Sequence, residues 1–180
     1  MNRLTPVSYI VLGLIDAAGE ATPYQLKTAA AASVGNLWSV QHAQLYSEPL
    51  RLADAGLLDE QREETGRRRR VYRLTDAGRE ALTAWLATPA DGFTELRDPG
   101  LLQLFFGAEP GPLAAAQLGL HERRLAEYET LQREAGAAMT EGQHLTLEAG
   151  IAHEREWIRY WRNLARDQEA PARFRQERRR

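Results

Sequence analysis

Four consecutive arginines, Arg67, Arg68, Arg69 and Arg70, follow Thr65-Gly66 in the stretch ETGRRRRVYR. A guanidinium group is permanently charged, and its planar fork of donors matches the oxygens of a phosphate. Such a run at a turn therefore favours contact with a polyanion, although a solvated surface or a flexible arm has the same composition. The 180-residue chain has a formal net charge of −2. Any attraction for nucleic acid must therefore come from a local patch.

Other kinds of chemistry find little support in the sequence. The chain has no cysteine, which excludes disulfides, thiolate metal sites and cysteine nucleophiles. No serine triad, phosphate-binding glycine loop or dinucleotide fingerprint is recognisable. His144 and Glu148 are four residues apart and His153 lies nearby, but a complete metal site needs more ligands. We therefore predict that the chain is not an enzyme and binds neither a metal nor another cofactor.

The N-terminal stretch MNRLTPVSYIVLGLIDAAG is apolar but is interrupted by Ser8 and Asp16. It lacks the basic start and the small-residue cleavage site of a signal peptide. No run of 18 apolar residues is present that would span a bilayer. These features predict a cytoplasmic protein without a membrane partner.

Three helices are predicted in the first 56 residues. Thr5-Pro6 and Thr22-Pro23 each combine a capping residue with a proline suited to the first helical turn. These helices end at Gly19 and near Gly35. A third helix is expected from Ser39 to Gly56. Its interior Pro49 removes one backbone hydrogen bond at a cost of roughly 3 kcal/mol, so either packing compensates or the helix bends.

A β-hairpin with the arginines at its tip is predicted after the third helix, because strand-like alternation flanks Thr65-Gly66. Tyr72 and Leu74 are expected on one face of the second strand, and Val71 and Arg73 on the other. A fourth helix follows from Thr75 and stops before residue 89. Three helices, a hairpin and a helix are the order of a winged helix-turn-helix domain, so the predicted fold class is mainly α with a small β-hairpin.

The second half of the chain is predicted to be helical. A linker over 89–97 is followed by a short helix after Asp98-Pro99 and by two long helices joined at AAMTEGQ. Two long helices with little else cannot bury all their apolar side chains in a monomer, so a second copy of the chain is the expected partner. The predicted domains are 1–88 and 98–168, with a basic, frayed tail over 169–180.

Several stretches together resemble the PadR family of bacterial transcriptional regulators. They are LTPVSYIVLGLI, PYQLK, LWSVQHAQLYSEPLRLADAGLL and RRRRVYRLTDAGREALTAWL. DPGLLQLFFG and the two long helices are similar to the dimerisation region of that family. Two departures are visible: Thr22-Pro23-Tyr24 replaces a glycine before the tyrosine, and Pro49 replaces a leucine. The resemblance implies an N-terminal DNA-binding domain and a helical dimerisation arm.

This resemblance implies that the third helix enters the major groove of double-stranded DNA. Leu45, Leu52 and Ala53 are expected to face the core. Glutamine suits adenine and arginine suits guanine, because each bonds two atoms of the purine edge. The residues expected to read bases are Gln41, His42, Gln44, Ser47 and Arg51. Those expected at phosphates or in the minor groove are Tyr24, Lys27, Ser39, Tyr46, Arg67, Arg68, Arg69 and Arg70.

The family resemblance also implies a small planar aromatic effector. The side chains expected to line its pocket are Trp85, Phe105, Phe106, Trp157, Tyr160 and Trp161. Aromatic residues at helical spacing serve equally as core and interface anchors, and that alternative stays open. The predicted function is a homodimeric, ligand-responsive repressor that binds an inverted repeat. The alternative is a winged-helix protein-interaction module without DNA binding, which would tolerate loss of the four arginines.

Overall fold

The structure is a computed structural model that describes residues 3–36, 38–62, 69–93 and 95–169. The chain forms two compact units, Met1–Phe93 and Thr94–Arg180. The division falls within the stretch predicted to be a linker. Residues 170–180, which make up nearly all of the predicted basic tail, lie outside the described residues.

The described residues of the N-terminal unit form four helices and one hairpin. Their order is α1 (Pro6–Ala18), α2 (Pro23–Ala32), α3 (His42–Asp54), β1 (Leu58–Arg62), β2 (Arg70–Leu74) and α4 (Asp76–Leu86), with a single 3₁₀ turn at Val34–Asn36. The two strands pair antiparallel, from Leu58 opposite Leu74 to Arg62 opposite Arg70. This arrangement confirms the predicted winged helix-turn-helix fold.

Local capping signals explain where the helices begin. Thr22 accepts a hydrogen bond from the Gln25 amide at 3.3 Å and stands before a proline in the first turn. Helix α3 begins at His42, so the prediction that it starts at Ser39 is wrong. The backbone N–H of Gln41 donates a hydrogen bond to the side-chain oxygen Oε1 of Gln44 at 3.2 Å. That side-chain acceptor three residues ahead marks Gln41 as the residue that caps the helix.

Helix α3 runs unbroken through Pro49. Proline has no N–H, so the carbonyl of Leu45 lacks its usual partner in the helix. The Pro49 ring is among the fully buried side chains of the unit. Burial of the ring contributes apolar stabilisation against the lost hydrogen bond.

The core of the N-terminal unit lies between its helices and the hairpin. It contains Val11, Leu12, Ile15, Leu26, Leu45, Leu52, Leu58, Tyr72, Leu74 and Leu82. Tyr72 and Leu74 are buried and Arg73 is exposed, as the alternation predicts. Ala21 extends the hairpin by pairing with Tyr72 through backbone bonds of 3.0 and 2.9 Å. The segment between α1 and α2 is thereby tied to β2.

One glycine is required by close packing. A Cβ on Gly78 would lie 2.1 Å from the carbonyl oxygen of Leu57. Helix α4 can therefore approach the loop before β1 only where a side chain is absent. Thr75, which caps α4, also donates to the carbonyl of Gly56 at 2.8 Å. Together these contacts fix the start of α4 against the base of the hairpin.

The C-terminal unit is a helical hairpin preceded by a short helix. Its elements are α5 (Pro99–Phe105), α6 (Pro110–Ala135), a 3₁₀ turn at Gly136–Ala138, and α7 (Glu141–Glu169). Ion pairs Glu122–Arg162 (2.9 Å) and Glu129–Arg155 (3.0 Å) connect α6 and α7. Since the partner number falls as the first number rises, the two long helices are antiparallel. No helix among the described residues is both long enough and apolar enough to cross a bilayer.

Candidate nucleic-acid interface

The N-terminal turns of α3 present polar side chains to solvent. Gln41, His42, Gln44 and Ser47 are exposed, and Tyr46 beside them is 49% exposed. Their positions agree with the exposed face expected from the spacing of Leu45 and Leu52, both of which are buried. Donors and acceptors on one exposed helix face are what recognition of base edges requires.

Two of these side chains are partly occupied by contacts within their own helix. The Oε1 atom of Gln44 accepts the Gln41 amide, and Ser47 donates to the carbonyl of Ala43 at 3.1 Å. The amide NH₂ of Gln44 remains a donor, and the Ser47 oxygen can still accept. Both residues thus keep hydrogen-bonding capacity on the exposed face of α3. Ser39, which precedes the helix, is exposed as well.

Arg51 departs from the expected pattern. Its Nε donates to Glu48 Oε2 at 2.9 Å, and its Nη2 lies 2.5 Å from Glu48 Oε1 and 3.0 Å from Ser8 Oγ. The Arg51 side chain is only 29% exposed. The exposed position predicted for Arg51 is therefore only partly realised. Hydrophobic spacing located the helix face, but it could not identify a carboxylate partner one turn away and a serine on α1.

Ser8 is the centre of this network. The residue is fully buried, and its hydroxyl donates to Glu48 Oε1 at 2.6 Å. Ser8 Oγ also accepts a hydrogen bond from the backbone amide of Thr5 at 2.8 Å. The hydrogen bond from Arg51, supported by that from Ser8, lowers the pKa of Glu48 below its ordinary value. A charged, hydrogen-bonded contact therefore joins the start of α1 to the middle of α3.

The β1–β2 hairpin is the wing of this fold, and the arginine run expected to contact a polyanion belongs to it. Arg67 and Arg68 lie outside the described residues, and Arg69 is exposed. Arg70 is half-buried, and its Nη1 lies 3.5 Å from Glu60 Oε2. Arg70 thus has an acidic neighbour on the adjacent strand.

Glu60 gathers three side chains on the wing. Its carboxylate accepts from Arg62 Nε at 2.7 Å and from the Tyr72 hydroxyl at 3.0 Å, and it pairs with Arg70. The hydrogen bond from Arg62 is the main reason why the pKa of Glu60 lies below its ordinary value. The sequence did contain a signal for this cluster. Positions 60 and 62, like 70 and 72, are two apart in their strands and so share a face.

Helix α2 supplies the remaining side chains of the predicted interface. Tyr24 is 68% exposed in its first turn. Lys27 is half-buried on the same helix. Both side chains have atoms at the surface of the N-terminal unit that a DNA backbone phosphate can contact.

The aromatic residues of α7 form a cluster around Trp157 in the C-terminal unit. The ring of Trp157 lies 5.7 Å from Tyr160 and 6.3 Å from Trp161, measured between centroids. Its Nε1 donates to His153 Nε2 at 2.7 Å, and His121 from α6 stacks on it at 5.9 Å. Trp161 is fully buried, and its Nε1 has no acceptor within the part of the chain that the structure describes.

The other predicted pocket residues make separate contacts. Phe105 and Phe106 pack edge to face at 5.1 Å and are largely exposed. Trp85 stacks on Tyr9 at 4.5 Å within the N-terminal unit. The described residues contain no group of three or more His, Cys, Asp or Glu side chains arranged to hold a metal ion.

Family comparison covers both units. Residues 11–84 match the model of the transcriptional regulator PadR-like family. Residues 96–167 match the model of the virulence activator alpha C-terminal region. The chain thus carries a domain of the PadR-like family of transcriptional regulators over residues 11–84. It is therefore a regulator rather than an enzyme.

Known PadR-like proteins agree with this assignment over most of the chain. The negative transcriptional regulator PadR of Bacillus subtilis (strain 168) is 24% identical over 173 residues, 88% of this chain and 94% of the relative. The crystal structure of Bacillus subtilis PadR in complex with operator DNA superposes with a TM-score of 0.80 at 22% identity, covering 91% of this chain and 98% of that one. Its complex with p-coumaric acid gives a TM-score of 0.76 at 22% identity, covering 91% and 99%. At these identities the structural likeness establishes the shared fold.

Proposed function

We propose that this PadR-like protein is a homodimeric repressor that binds an inverted repeat in DNA and responds to a small planar aromatic compound. The observation that carries the proposal is the exposed polar face at the start of α3, which begins with Gln41 and His42. Family membership supports it, and so does the DNA complex solved for the Bacillus subtilis relative. Such a protein would act on DNA in the cytoplasm.

In this proposal α3 reads bases and the wing contacts the backbone. Gln41, His42 and Gln44 stand in the first turn of α3, the part of a recognition helix that approaches base edges. Ser47 and Tyr46 follow one turn later. Arg51 is left out of base reading because its Nε and Nη2 are bonded to Glu48 and Ser8. Arg69, together with the run that precedes it, supplies charge for phosphates.

The C-terminal unit supports the proposal of a dimer. Leu120 of α6 and Leu145 of α7 are 51% and 59% exposed in the single chain. A second copy of the hairpin would cover such side chains, and a two-fold axis would place the two α3 helices on equivalent half-sites. The centres of these half-sites should then lie about 10 bp apart, or a multiple of that distance.

The cluster around Trp157 is our candidate for the effector site. Bacillus subtilis PadR has been solved with p-coumaric acid, and we propose a ligand of the same class here. The buried Nε1 of Trp161 is a donor in need of an acceptor, which a hydroxyl or carboxylate on an aromatic ring would provide. Neighbouring rings would stack on that ligand. Phe105, Phe106 and Trp85 are secondary candidates.

Selection of genomic fragments by the purified full-length protein at near-physiological salt tests this function. We expect an inverted repeat to be enriched, and insertion of 5 bp between its halves to abolish tight binding because one half-site then faces the opposite side of the duplex. His42→Ala should relax base preference at one position of each half-site. Thr83→Ala, on the exposed surface of α4, is the matched control and should leave preference unchanged.

Two results would contradict the proposal. Recovery of fragments without a shared site would argue against sequence-specific regulation and favour a protein-interaction module. An affinity that does not depend on the spacing of the half-sites would argue against a two-fold dimer on DNA. Measurement of the molar mass of the unbound protein in solution separates this second result from a simple failure to dimerise.

A further inference from the structure

Among the described residues of the wing, one face combines two opposed arginines with one carboxylate. The strand register places Arg62 opposite Arg70 and Glu60 opposite Tyr72. Side chains two apart in a strand point the same way, so these four residues, the wing face, lie together. Like charges directly opposite each other destabilise a strand pair. Glu60, two residues along β1 from Arg62 and on the same face, is positioned to neutralise both arginines.

The contacts of Glu60 use both of its oxygens. Oε1 accepts from Arg62 at 2.7 Å, while Oε2 accepts from Tyr72 at 3.0 Å and lies 3.5 Å from Arg70. The Glu60 side chain is 14% exposed, against 67% for Arg62 and 41% for Arg70. The carboxylate is thus enclosed by its partners, while the two guanidinium groups reach the surface where a phosphate would bind.

We propose that Glu60 determines the DNA specificity of the wing by holding Arg62 and Arg70 away from DNA phosphates. The inference rests on the proposed DNA-binding function. A carboxylate and a phosphate compete for the same guanidinium donors. Non-specific binding depends almost wholly on phosphate contacts, whereas binding at an operator also gains from bases read by α3. The bonds of Arg62 and Arg70 to Glu60 therefore lower the affinity for non-specific DNA more than the affinity for the operator.

The charge balance of the N-terminal half makes the release of Arg62 and Arg70 from Glu60 important for DNA affinity. Residues 1–88 carry ten basic and ten acidic side chains. With no net charge to attract DNA, each arginine released from a carboxylate is a large relative change. Arg69, which is exposed, keeps its charge for the contacts that the proposed repressor needs.

Asp59 offers a matched control on the same strand. It is exposed and lies on the opposite face of β1. Its cross-strand neighbour Arg73 is bonded to Glu20 through Nε at 2.7 Å. Glu60→Gln and Asp59→Asn each remove one negative charge per subunit. The long-range attraction for DNA changes equally in both variants, and only Glu60→Gln releases Arg62 and Arg70.

The experiment measures the affinity of the full-length protein for a random-sequence duplex between 50 and 200 mM salt. Each added phosphate contact steepens the fall over this range by about 3.5-fold. Two released arginines in each subunit of a dimer would therefore steepen it by up to about 150-fold. We expect Glu60→Gln to bind this duplex more tightly at low salt, and to lose affinity more steeply, than Asp59→Asn. Its ratio of operator to random-duplex affinity should fall.

Equal salt dependence in Glu60→Gln and Asp59→Asn would overturn the proposal while leaving DNA binding intact. Failure of the unmodified protein to bind any duplex would overturn the proposed function, and the role of Glu60 with it. Arg62→Gln tests the same idea without removing the carboxylate. We expect it to leave the salt dependence of the unmodified protein unchanged, because Arg62 is already occupied. A shallower dependence would show that Arg62 contacts phosphate and would refute the proposal.

Discussion

Replacing Ser8 by alanine should loosen the attachment of α3 to α1. The Ser8 hydroxyl donates to Glu48 and accepts from the Thr5 amide and from Arg51, at 2.6, 2.8 and 3.0 Å. Alanine fills almost the same volume but makes none of these bonds. The buried position of Ser8 gives water little access to the groups left behind. The change therefore isolates the polar network from packing.

The expected loss in free energy of unfolding of the N-terminal unit is about 2–4 kcal/mol. A hydrogen bond to a charged group contributes about 1.5–3 kcal/mol, and a buried donor left without a partner costs about 1–3 kcal/mol. These contributions overlap, because Glu48 and Arg51 still pair with each other in the variant. The net loss is a large share of the total stability of a domain, about 5–15 kcal/mol.

Hydrogen exchange of the full-length protein, followed on peptides from α1 and α3, measures this loss of stability in the N-terminal unit specifically. Exchange of the protected amides should accelerate by at least about 30-fold, the equivalent of 2 kcal/mol. Ser47→Ala is the matched control, since Ser47 is exposed and bonds only a carbonyl of its own helix. If the two variants exchanged at the same rate in α1 and α3, the network would not stabilise the unit and the reasoning would fail.

Three further predictions follow from described contacts. Gly78→Ala should destabilise the N-terminal unit in urea unfolding, because the new Cβ would overlap the Leu57 carbonyl. The expected loss is at least about 2 kcal/mol, towards the upper end of the roughly 1–3 kcal/mol typical of overpacking. An unchanged midpoint would show that α4 shifts freely. The lowered pKa of Glu48 means that its stabilisation is present above its unfolded pKa and is lost as pH falls through its folded pKa. The urea midpoint should therefore fall less between pH 7 and pH 3 in Glu48→Gln than in the unmodified protein, and equal falls would count against the assignment. Titration with p-coumaric acid should quench tryptophan fluorescence and release operator DNA, and Trp157→Leu should abolish both effects; release that persists in this variant would place the effector elsewhere.

The sequence by itself determined the elements and their order. Thr5-Pro6 and Thr22-Pro23 start helices through contacts within four residues, so no distant part of the chain is needed to predict them. Alternation in the second strand correctly separated buried Tyr72 from exposed Arg73 because the period of a strand is a local property. Apolar spacing likewise assigned the buried face of α3. The start of α3 was misplaced by three residues, since Gln41 is a weaker capping signal than serine.

Only the tertiary structure decided which polar side chains are free. Arg51 was predicted beside Gln44 on the exposed face, yet Ser8, from a helix more than 40 residues earlier, helps to hold it in place. Glu60 appeared to be one acid among several, and the register of the hairpin made it the partner of Arg70 and Tyr72. A side chain's character follows from its type, but its availability depends on the charged groups that folding brings within about 3 Å of it. Ser8 is 43 residues from Arg51 and Arg70 lies across the hairpin from Glu60, so local patterns could not identify these two contacts.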